Sequence, residues 1–268
     1  GGSIAPLLRE LVGHLSVEVM RQPLGALDIQ AVSNIANALA RLPHGLADSK
    51  VLARLSALAC GTSPSMFPAQ AIATILNAFV RMNALDPELL KAIRGAALEQ
   101  PASAFSPQSI SMMANALVKS GVDDPPLFRV LGAAAAQVPP ERFSPQAISL
   151  TLNAFARSPK ASPGLIKTLA EAARKTRAPD ALSVALMAAA LARVEYEDAS
   201  IFKHLSSSFI DAANREWVSA AGRRKGGAVA AMALTAFSKV APPSEELLEC
   251  IAGLVRALPP RGATGEGE

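Results

Sequence analysis

Aromatic residues make up only 4% of the 268 residues, with a single tryptophan and a single tyrosine. β-Sheets draw on aromatic and β-branched side chains in alternating runs, and no such run stands out here. The scarcity therefore argues against a sandwich or a barrel. Half of the chain is nevertheless hydrophobic, and much of that half is alanine, the strongest helix former. The composition predicts an all-α protein.

Cysteine and long apolar runs are also scarce. The two cysteines, Cys60 and Cys250, lie far apart, so we expect two buried, unreactive thiols in a reducing compartment rather than a disulfide. No apolar run reaches the roughly 18 residues that a membrane span needs, and we expect no membrane insertion. The net charge of +4 permits an anionic partner without requiring one.

The sequence lacks the patterns that carry catalysis or metal binding. Its three histidines have no cysteine at metal-ligand spacing. No glycine-rich phosphate loop or nucleophile motif is present. We therefore expect no enzyme activity, no cofactor, no metal site and no small-molecule substrate.

What the sequence does contain is an internal repeat. Six 15-residue windows align without gaps, and their last residues are spaced by 40, 38, 38, 36 and 46 positions. The first four windows match closely and the last two are degenerate. The windows are 27–41, 67–81, 105–119, 143–157, 179–193 and 225–239.

A second helix is predicted between successive windows. Residue types that cap helix N-termini stand at fixed offsets, followed in three repeats by a proline at the first helical position. We call this helix A and the window helix B. The capping residues are Asp48, Asp86, Asp124, Ser162, Asp198 and Ser244.

The pattern predicts an all-α solenoid of about six and a half helix-turn-helix repeats of roughly 38 residues, because a lone hairpin cannot bury its apolar face whereas stacked hairpins can. We expect this solenoid to contain seven A helices and six B helices. One domain is expected over 1–258, with a disordered tail over 259–268. Its units are predicted near 4–42, 46–82, 86–120, 124–158, 162–194 and 198–240, with a closing helix at 244–258.

The faces of helix B follow from its 100° rotation per residue. Window positions 6, 10 and 13 form a core stripe, as at Ile148, Leu152 and Phe155. Position 12 is alanine in every window and position 14 is alanine, valine or serine, so we expect neighbouring helices to approach helix B closely on both sides. Positions 4, 11 and 15 form one polar column opposite the core.

Position 15 of every window is basic, and we call these residues the B ladder: Arg41, Arg81, Lys119, Arg157, Arg193 and Lys239. A cation at a helix C-terminus is stabilised by the macrodipole, by about 0.3–1 kcal/mol, which explains any one of them without a ligand. Regular spacing in all six repeats also suits the phosphates of a polyanion. Both interpretations stay open.

A second set of cations follows the apolar pair of helix A, and we call it the A ladder: Lys91, Arg129, Lys167 and Lys203. Arg9 occupies a similar place in the opening helix, and Arg54 one place late in the second repeat. These residues are candidates for RNA contact or a solvated outer face whose long side chains cover apolar surface.

Position 11 holds asparagine in the first four windows, and we call this set the Asn column: Asn37, Asn77, Asn115 and Asn153. Amide side chains read bases in repeat proteins that bind RNA. Alternatively the amides bond the carbonyls of neighbouring turns and fix the stacking register.

The longer spacing before the last window holds Trp217 and the run Arg223, Arg224 and Lys225. We expect this insertion to form a loop on one face. Its basic residues and tryptophan either grip a phosphate and stack a base, or the tryptophan fills a gap between repeats beside solvated charges.

The windows FSPQAISLTLNAFAR and FSPQSISMMANALVK, each followed by a helix A start, resemble the octotricopeptide and heptatricopeptide repeat families of algae and protists. YEDASIFKHLSSSF at 196–209 is similar to the first helix of that family. The resemblance covers roughly residues 4–258 and is strongest in repeats two to four. It departs at the Asn column, where the family often carries tryptophan.

The resemblance implies a mitochondrial or chloroplast protein that acts on organellar RNA. Many members end in a nuclease-like domain of the RAP type, and we expect none here because too few residues follow Leu258. The chain begins with Gly1 rather than Met, so a targeting peptide would lie outside it.

We therefore expect a non-catalytic RNA-binding protein of the mitochondrial matrix, with rRNA or another organellar RNA and the proteins of a ribonucleoprotein as partners. A structural subunit of a mitochondrial ribosome is the favoured version. The alternative is a scaffold, like armadillo or tetratricopeptide arrays, that binds a peptide or helix in its grooves.

Overall fold

The computed structural model describes residues 4–23, 27–43, 47–158, 163–217 and 220–256. Over these residues the protein is all-helical, with 13 α-helices, three short 3₁₀ helices and no strand. The contacts divide the chain into two compact units, 1–138 and 139–268, and each is described by itself. The expectation of one domain over 1–258 stays a prediction.

The first unit contains seven α-helices that alternate between the A and B types. They are α1 (Ile4–Arg21), α2 (Ile29–Arg41), α3 (Ser49–Cys60), α4 (Ala69–Arg81), α5 (Pro87–Glu99), α6 (Pro107–Ser120) and α7 (Pro125–Gln137). Odd numbers are A helices and even numbers are B helices. The 3₁₀ helices Pro64–Met66 and Ala102–Ala104 precede α4 and α6.

The second unit begins with the 3₁₀ helix Pro140–Arg142. Its α-helices also alternate between the two types, but the first of them is a B helix, so even numbers again denote B helices. Its members are α8 (Pro145–Phe155), α9 (Pro163–Arg174), α10 (Ala181–Arg193), α11 (Ala199–Glu216), α12 (Ala220–Ser238) and α13 (Glu245–Arg256). The prediction of seven A and six B helices is confirmed for the described part of the chain. Within each unit the helix pairs stack as in an α-solenoid.

The helix starts follow the predicted capping chemistry. Ser106 and Ser144 cap α6 and α8 by accepting the backbone N–H three residues later at 3.1 Å, with a proline directly after each cap. Aspartates accept the N–H three residues later for α2, α5, α7 and α10, whereas Asp48 and Asp198 accept the N–H two residues later for α3 and α11. Each cap satisfies a backbone N–H that has no partner inside its helix. Ser162 lies outside the described residues.

Three B helices end in the same left-handed turn, two residues after their B-ladder cation. Asn83, Gly121 and Glu195 have φ of 53°, 68° and 52°. In each case the next backbone N–H bonds a carbonyl of the last helical turn, as Ala84 does with Phe79 at 2.9 Å. This arrangement satisfies carbonyls at the helix end. It also fixes where the helix stops relative to its last cation.

Alanine governs the packing of the B helices. Within each unit the B–B pairs are the most closely packed helix pairs. The alanines at window position 12 are almost fully buried in five of the described B helices, namely Ala78, Ala116, Ala154, Ala190 and Ala236. Ala38 on α2 is exposed. The predicted core stripe is also confirmed, since Ile148, Leu152 and Phe155 are at most 2% exposed.

Three capping aspartates do more than the sequence suggested. In Asp86, Oδ1 accepts from the N–H of Leu89 at 2.8 Å, while Oδ2 accepts from the Ser56 hydroxyl on α3 at 2.7 Å. Asp124 caps Leu127 with Oδ1, and its Oδ2 lies 3.0 Å from Arg94 Nε on α5. One oxygen starts a helix and the other ties it to the preceding A helix.

The third of these aspartates, in the second unit, is Asp198. It accepts from the backbone N–H of Ser200 through Oδ1 and from the Arg174 guanidinium of α9 through Oδ2. The hydrogen bond from the Ser200 hydroxyl, and then that from Arg174, lower the pKa of the Asp198 carboxyl. Both bonds favour the ionised form.

The expectation that the insertion forms a loop is wrong. The added residues lengthen two helices instead, so that α11 has 18 residues and α12 has 19. Trp217 meets Phe209 edge-on, with ring centroids 5.6 Å apart. A Cβ built on Gly226 would lie 2.7 Å from Trp217 Cε2. The tryptophan thus fills the gap between α11 and α12, and the glycine makes room for its ring.

The two cysteines are free thiols. The expectation that both are buried is wrong for Cys60, which is exposed at the end of α3, while Cys250 is half-buried. Desolvation still raises the pKa of both thiols. A raised pKa leaves less thiolate at neutral pH, so both remain weak nucleophiles.

The contact between Gly226 and Trp217 predicts opposite effects for two glycine substitutions. Gly253→Ala in α13 meets nothing within 4 Å, so it should raise the free energy of unfolding by about 0.5–1 kcal/mol through helix propensity. Gly226→Ala drives a methyl group into the indole ring and should lower it by about 1–2 kcal/mol despite that gain. Urea denaturation of both variants measures the signs. Two stabilised variants would contradict the packing described.

The double use of Asp124 predicts a larger loss than capping alone. Asp28→Ala removes only a cap, since Asp28 accepts from Ala31 N–H on an exposed helix start, and should cost about 1 kcal/mol. Asp124→Ala also removes the ion pair with Arg94 and should cost about 2–3 kcal/mol, because Asp124 is buried and its loss leaves the Arg94 guanidinium without its counter-charge. Thermal and urea unfolding compare the two. Equal losses would show that the Arg94 contact contributes nothing.

Candidate nucleic-acid interface

In the first unit the B helices form a polar groove with a volume of about 560 Å³. α2 contributes Asn37 and Arg41, and α4 contributes Gln70, Asn77 and Arg81. The third wall, α6 with the turn before it, adds Ser106, Gln108, Ser109 and Met112. Window positions 4, 11 and 15 therefore meet in one groove, as the periodicity predicts. The structure brings Asn column and B ladder together here.

The groove has this composition for two local reasons. Positions 11 and 15 are one helical turn apart, so Asn37 and Arg41 lie one above the other on α2, as do Asn77 and Arg81 on α4. The buried alanines let α2, α4 and α6 pack closely, which repeats the same pair at the helix spacing of roughly 8–10 Å. The groove is a product of the repeat rather than of one loop.

The B-ladder cations of this unit carry no protein counter-charge. Arg41, Arg81 and Lys119 are exposed. In the described part of the chain, none of them has a carboxylate within 4.0 Å. The helix macrodipole stabilises a cation at each of these positions, but it does not neutralise the charge. The groove therefore has a positive rim that is open to an anion.

The amides of this unit are equally available. Asn37, Asn77 and Asn115 are half-exposed. Over the described ranges, their side chains form no hydrogen bond with protein groups. The bonds to neighbouring carbonyls that a register role requires are therefore not made by these three residues. Asn37 and Asn77, which line the groove, each offer a donor and an acceptor to whatever enters it, whereas Asn115 is not among the lining residues.

The equivalent face of the second unit has a different floor. A groove of about 320 Å³ between α10 and α12 is lined by Arg193 and Lys239, with Ala189, Met232 and Thr235 below them. The Thr235 hydroxyl donates to the carbonyl of Ala231 on its own helix at 2.8 Å. Basic residues line this groove as in the first unit. At window position 11, however, Ala189 and Thr235 replace the asparagines, and the Thr235 hydroxyl already has a partner on its own helix.

On α8 and α10 the B-ladder cations lie close enough to influence one another. Arg157 stands two residues beyond the end of α8, and its Nε donates to Asn153 Oδ1 at 3.4 Å. Burial, and then the positive charge of Arg157, lower the pKa of Arg193. Like charges held together favour binding of an anion, which relieves the repulsion.

The A ladder lies elsewhere. Lys91, Arg129, Lys167 and Lys203 are exposed on A helices, as is Arg9, and none of them lines either groove. Lys203 lines a third, mostly apolar pocket of about 290 Å³ between α11 and α13. Arg54, expected among the free cations, instead donates to the Gln22 carbonyl. The structure does not join the A ladder to the B-helix grooves.

The basic run of the insertion falls on helix α12. The structure describes the side chains of α12 only from Gly226 onwards, so those of Arg223, Arg224 and Lys225 lie outside it. Trp217 packs on Phe209 and Gly226, which supports its gap-filling role over base stacking.

The first-unit groove is lined by arginines, amides, hydroxyls and apolar side chains. Within the described ranges, no three or more His, Cys, Asp and Glu residues are grouped so that they could hold a metal ion. Of the helices described, none is both long and apolar enough to cross a bilayer. What the geometry provides is cations beside neutral amides, which suits a ligand with negative charge and hydrogen-bonding edges.

Comparison with known proteins gives one family. A family model for the RNA-editing substrate-binding complex 6 protein matches residues 11–220, well over half of the chain. The match includes α2 to α10 and all of the first-unit groove. No curated protein matches the chain.

The open amides of the groove predict that its asparagines do not stabilise the fold. Asn77→Ala should leave the free energy of unfolding unchanged or raise it by up to about 0.7 kcal/mol, because alanine has the higher helix propensity. Asn214→Ala, on an exposed position of α11 whose amide also makes no hydrogen bond with the described residues, is the matched control. A register role would instead make Asn77→Ala cost roughly 1–3 kcal/mol. Chemical denaturation distinguishes the two.

Proposed function

The chain belongs to the family of RNA-editing substrate-binding complex 6 proteins, and from this premise we propose that it is a non-catalytic subunit that holds RNA on its B-helix face. One observation carries the proposal: the first-unit groove sets unneutralised Arg41 and Arg81 directly beside half-exposed, unpaired Asn37 and Asn77. Phosphates match the first pair and base edges match the second.

The charge arrangement fits a nucleic acid better than an acidic peptide. Phosphates recur along a strand at a regular spacing, and the repeat presents its cations at a regular spacing as well. The amides between the cations pair with the donors and acceptors of base edges. They would also pair with the backbone of a peptide, so the regular spacing of the cations carries the distinction. Unpaired segments of RNA, whose bases are free to turn into the groove, are the ligands that this surface suits best.

The family supports an RNA-editing assembly as the setting, with RNA and neighbouring proteins of a complex as partners. The more specific expectations, rRNA as ligand and a mitochondrial ribosome as the assembly, draw no support from the match and stay predictions. So does membership of the octotricopeptide or heptatricopeptide families.

The mitochondrial matrix remains part of the proposal, and so does the lack of catalysis. The first rests on the resemblance of the windows to organellar repeat proteins. The second rests on a groove whose charged members are arginines without an acidic or nucleophilic partner. Arginine stays protonated at neutral pH and therefore serves as a binding group rather than a general base.

A scaffold that binds protein is the second candidate, and the pocket between α11 and α13 favours it. Phe202, Ile210, Phe237 and Leu247 line this pocket together with Lys203 and Glu246. Apolar walls with a charged rim are typical of sites that accept a side chain of a partner. The two functions are compatible in a subunit of a ribonucleoprotein, because they use different faces.

Charge removal from the B ladder tests the RNA proposal. Replacing Arg41, Arg81 and Lys119 by glutamine should weaken binding to single-stranded RNA of any sequence. It should also flatten the slope of log K against log salt by about two units, since each phosphate contributes roughly 0.7. Folding should barely change, because each helix-end charge contributes under about 1 kcal/mol. Fluorescence anisotropy over a salt series measures both quantities.

The matched control removes the same charge from the A helices of the same unit. Lys50, Lys91 and Arg129 are exposed, and their replacement by glutamine should leave the salt slope close to wild type. Equal weakening by both triple variants would show that net charge alone drives binding. An unchanged affinity in the B-ladder variant would overturn the proposed interface.

A further inference from the structure

The two grooves on B-helix faces share their cations but differ in the groups beneath them. Both occupy the same window positions, at α2–α4–α6 in the first unit and at α10–α12 in the second. Position 11 holds Asn37 and Asn77 in the first groove and Ala189 and Thr235 in the second. This difference has no counterpart in the core, where both units bury the same stripe.

We propose that the first-unit groove distinguishes the bases of a bound RNA through Asn37 and Asn77, whereas the α10–α12 groove holds RNA without distinguishing them. The inference rests on the proposed function, since it assumes that RNA occupies both grooves. It assigns the specificity of binding to two named side chains and to one part of the chain.

The amides of Asn37 and Asn77 have unused hydrogen-bonding groups. Asn37 and Asn77 are half-exposed, and within the described ranges neither side chain forms a hydrogen bond with another protein group. An amide that holds a donor and an acceptor side by side forms two hydrogen bonds with a matching base edge and loses them with a mismatched one. We therefore expect an RNA whose base matches the unpaired amide to bind more tightly than one with a mismatched base.

A second feature is the position of the amides relative to the cations. Asn37 and Arg41 are four residues apart on α2, as are Asn77 and Arg81 on α4, which separates each pair by about 6 Å along the helix axis. A nucleotide whose phosphate contacts the arginine can thus place its base over the asparagine of the same helix.

A third feature is the lack of such groups in the second-unit groove. Ala189 has no polar side-chain atom, and the Thr235 hydroxyl is already bonded to the Ala231 carbonyl. Met232 and the alanines beside it offer apolar contact, which every base accepts through its flat face. Arg193 and Lys239 remain for the phosphates. Such a surface contributes affinity and no selection.

The experiment uses the full chain and a pool of random-sequence single-stranded RNA, with bound molecules recovered and sequenced. Wild type should enrich particular bases, by roughly five- to hundred-fold for each bidentate contact. Asn37→Ala with Asn77→Ala should abolish that enrichment while leaving the salt slope unchanged. Asn37→Thr with Asn77→Thr, which installs the residue found at 235, should do the same and guards against a folding defect in one variant.

The matched control changes the second groove instead. Arg193→Gln with Lys239→Gln should weaken binding of the whole pool and flatten the salt slope, while the base enrichment persists. The converse pair, Ala189→Asn with Thr235→Asn, should add a new enrichment, because it supplies the missing amides to a groove that already has the cations.

The outcomes separate this inference from the function on which it rests. Salt-sensitive binding of wild type without base enrichment would overturn the inference and leave the RNA-binding function standing. Enrichment that survives both asparagine variants, or that disappears in the Arg193 and Lys239 variant, would also overturn it. No binding of any RNA by wild type would remove both.

Discussion

The close approach of neighbouring B helices is the constraint on which the rest of each unit depends. It requires alanine at window position 12, because any larger side chain there would push the helices apart and open voids in the buried stripe. With alanine in place, Ala78 and Ala116 are almost fully buried, and the polar positions of successive helices come within reach of one ligand. The spacing of the B helices that line each groove thus depends on the small alanine side chain at window position 12.

The A helices are held by a different interaction, in which polar groups replace close packing. Asp86 and Asp124 each start one helix and bind the preceding A helix with the second carboxylate oxygen. For Asp124, which is buried, a partner on both oxygens avoids the penalty for an unpaired charge. The link fixes how one repeat follows the next, and it leaves the polar column of the B helices free for other contacts.

The candidate interface combines two kinds of chemistry that a folding argument alone does not require. A helix end is stabilised by one cation, but like charges such as Arg157 and Arg193 oppose each other. Half-exposed amides without a partner contribute little to stability. Cations and amides that bring so little to the fold are available to a ligand, and the chain belongs to the family of RNA-editing substrate-binding complex 6 proteins.

The sequence by itself determined the helices, their order, their caps and the face on which Arg41, Asn77 and their equivalents lie, because these depend on local propensity and on the 3.6-residue period. It did not determine that Arg54 and Arg94 are engaged by other groups, that the insertion lengthens α11 and α12, or that Trp217 fills the space above Gly226. Nor did it decide between bonded and open amides. Those features depend on which side chains meet across helices far apart in sequence, and only the tertiary structure brings them together.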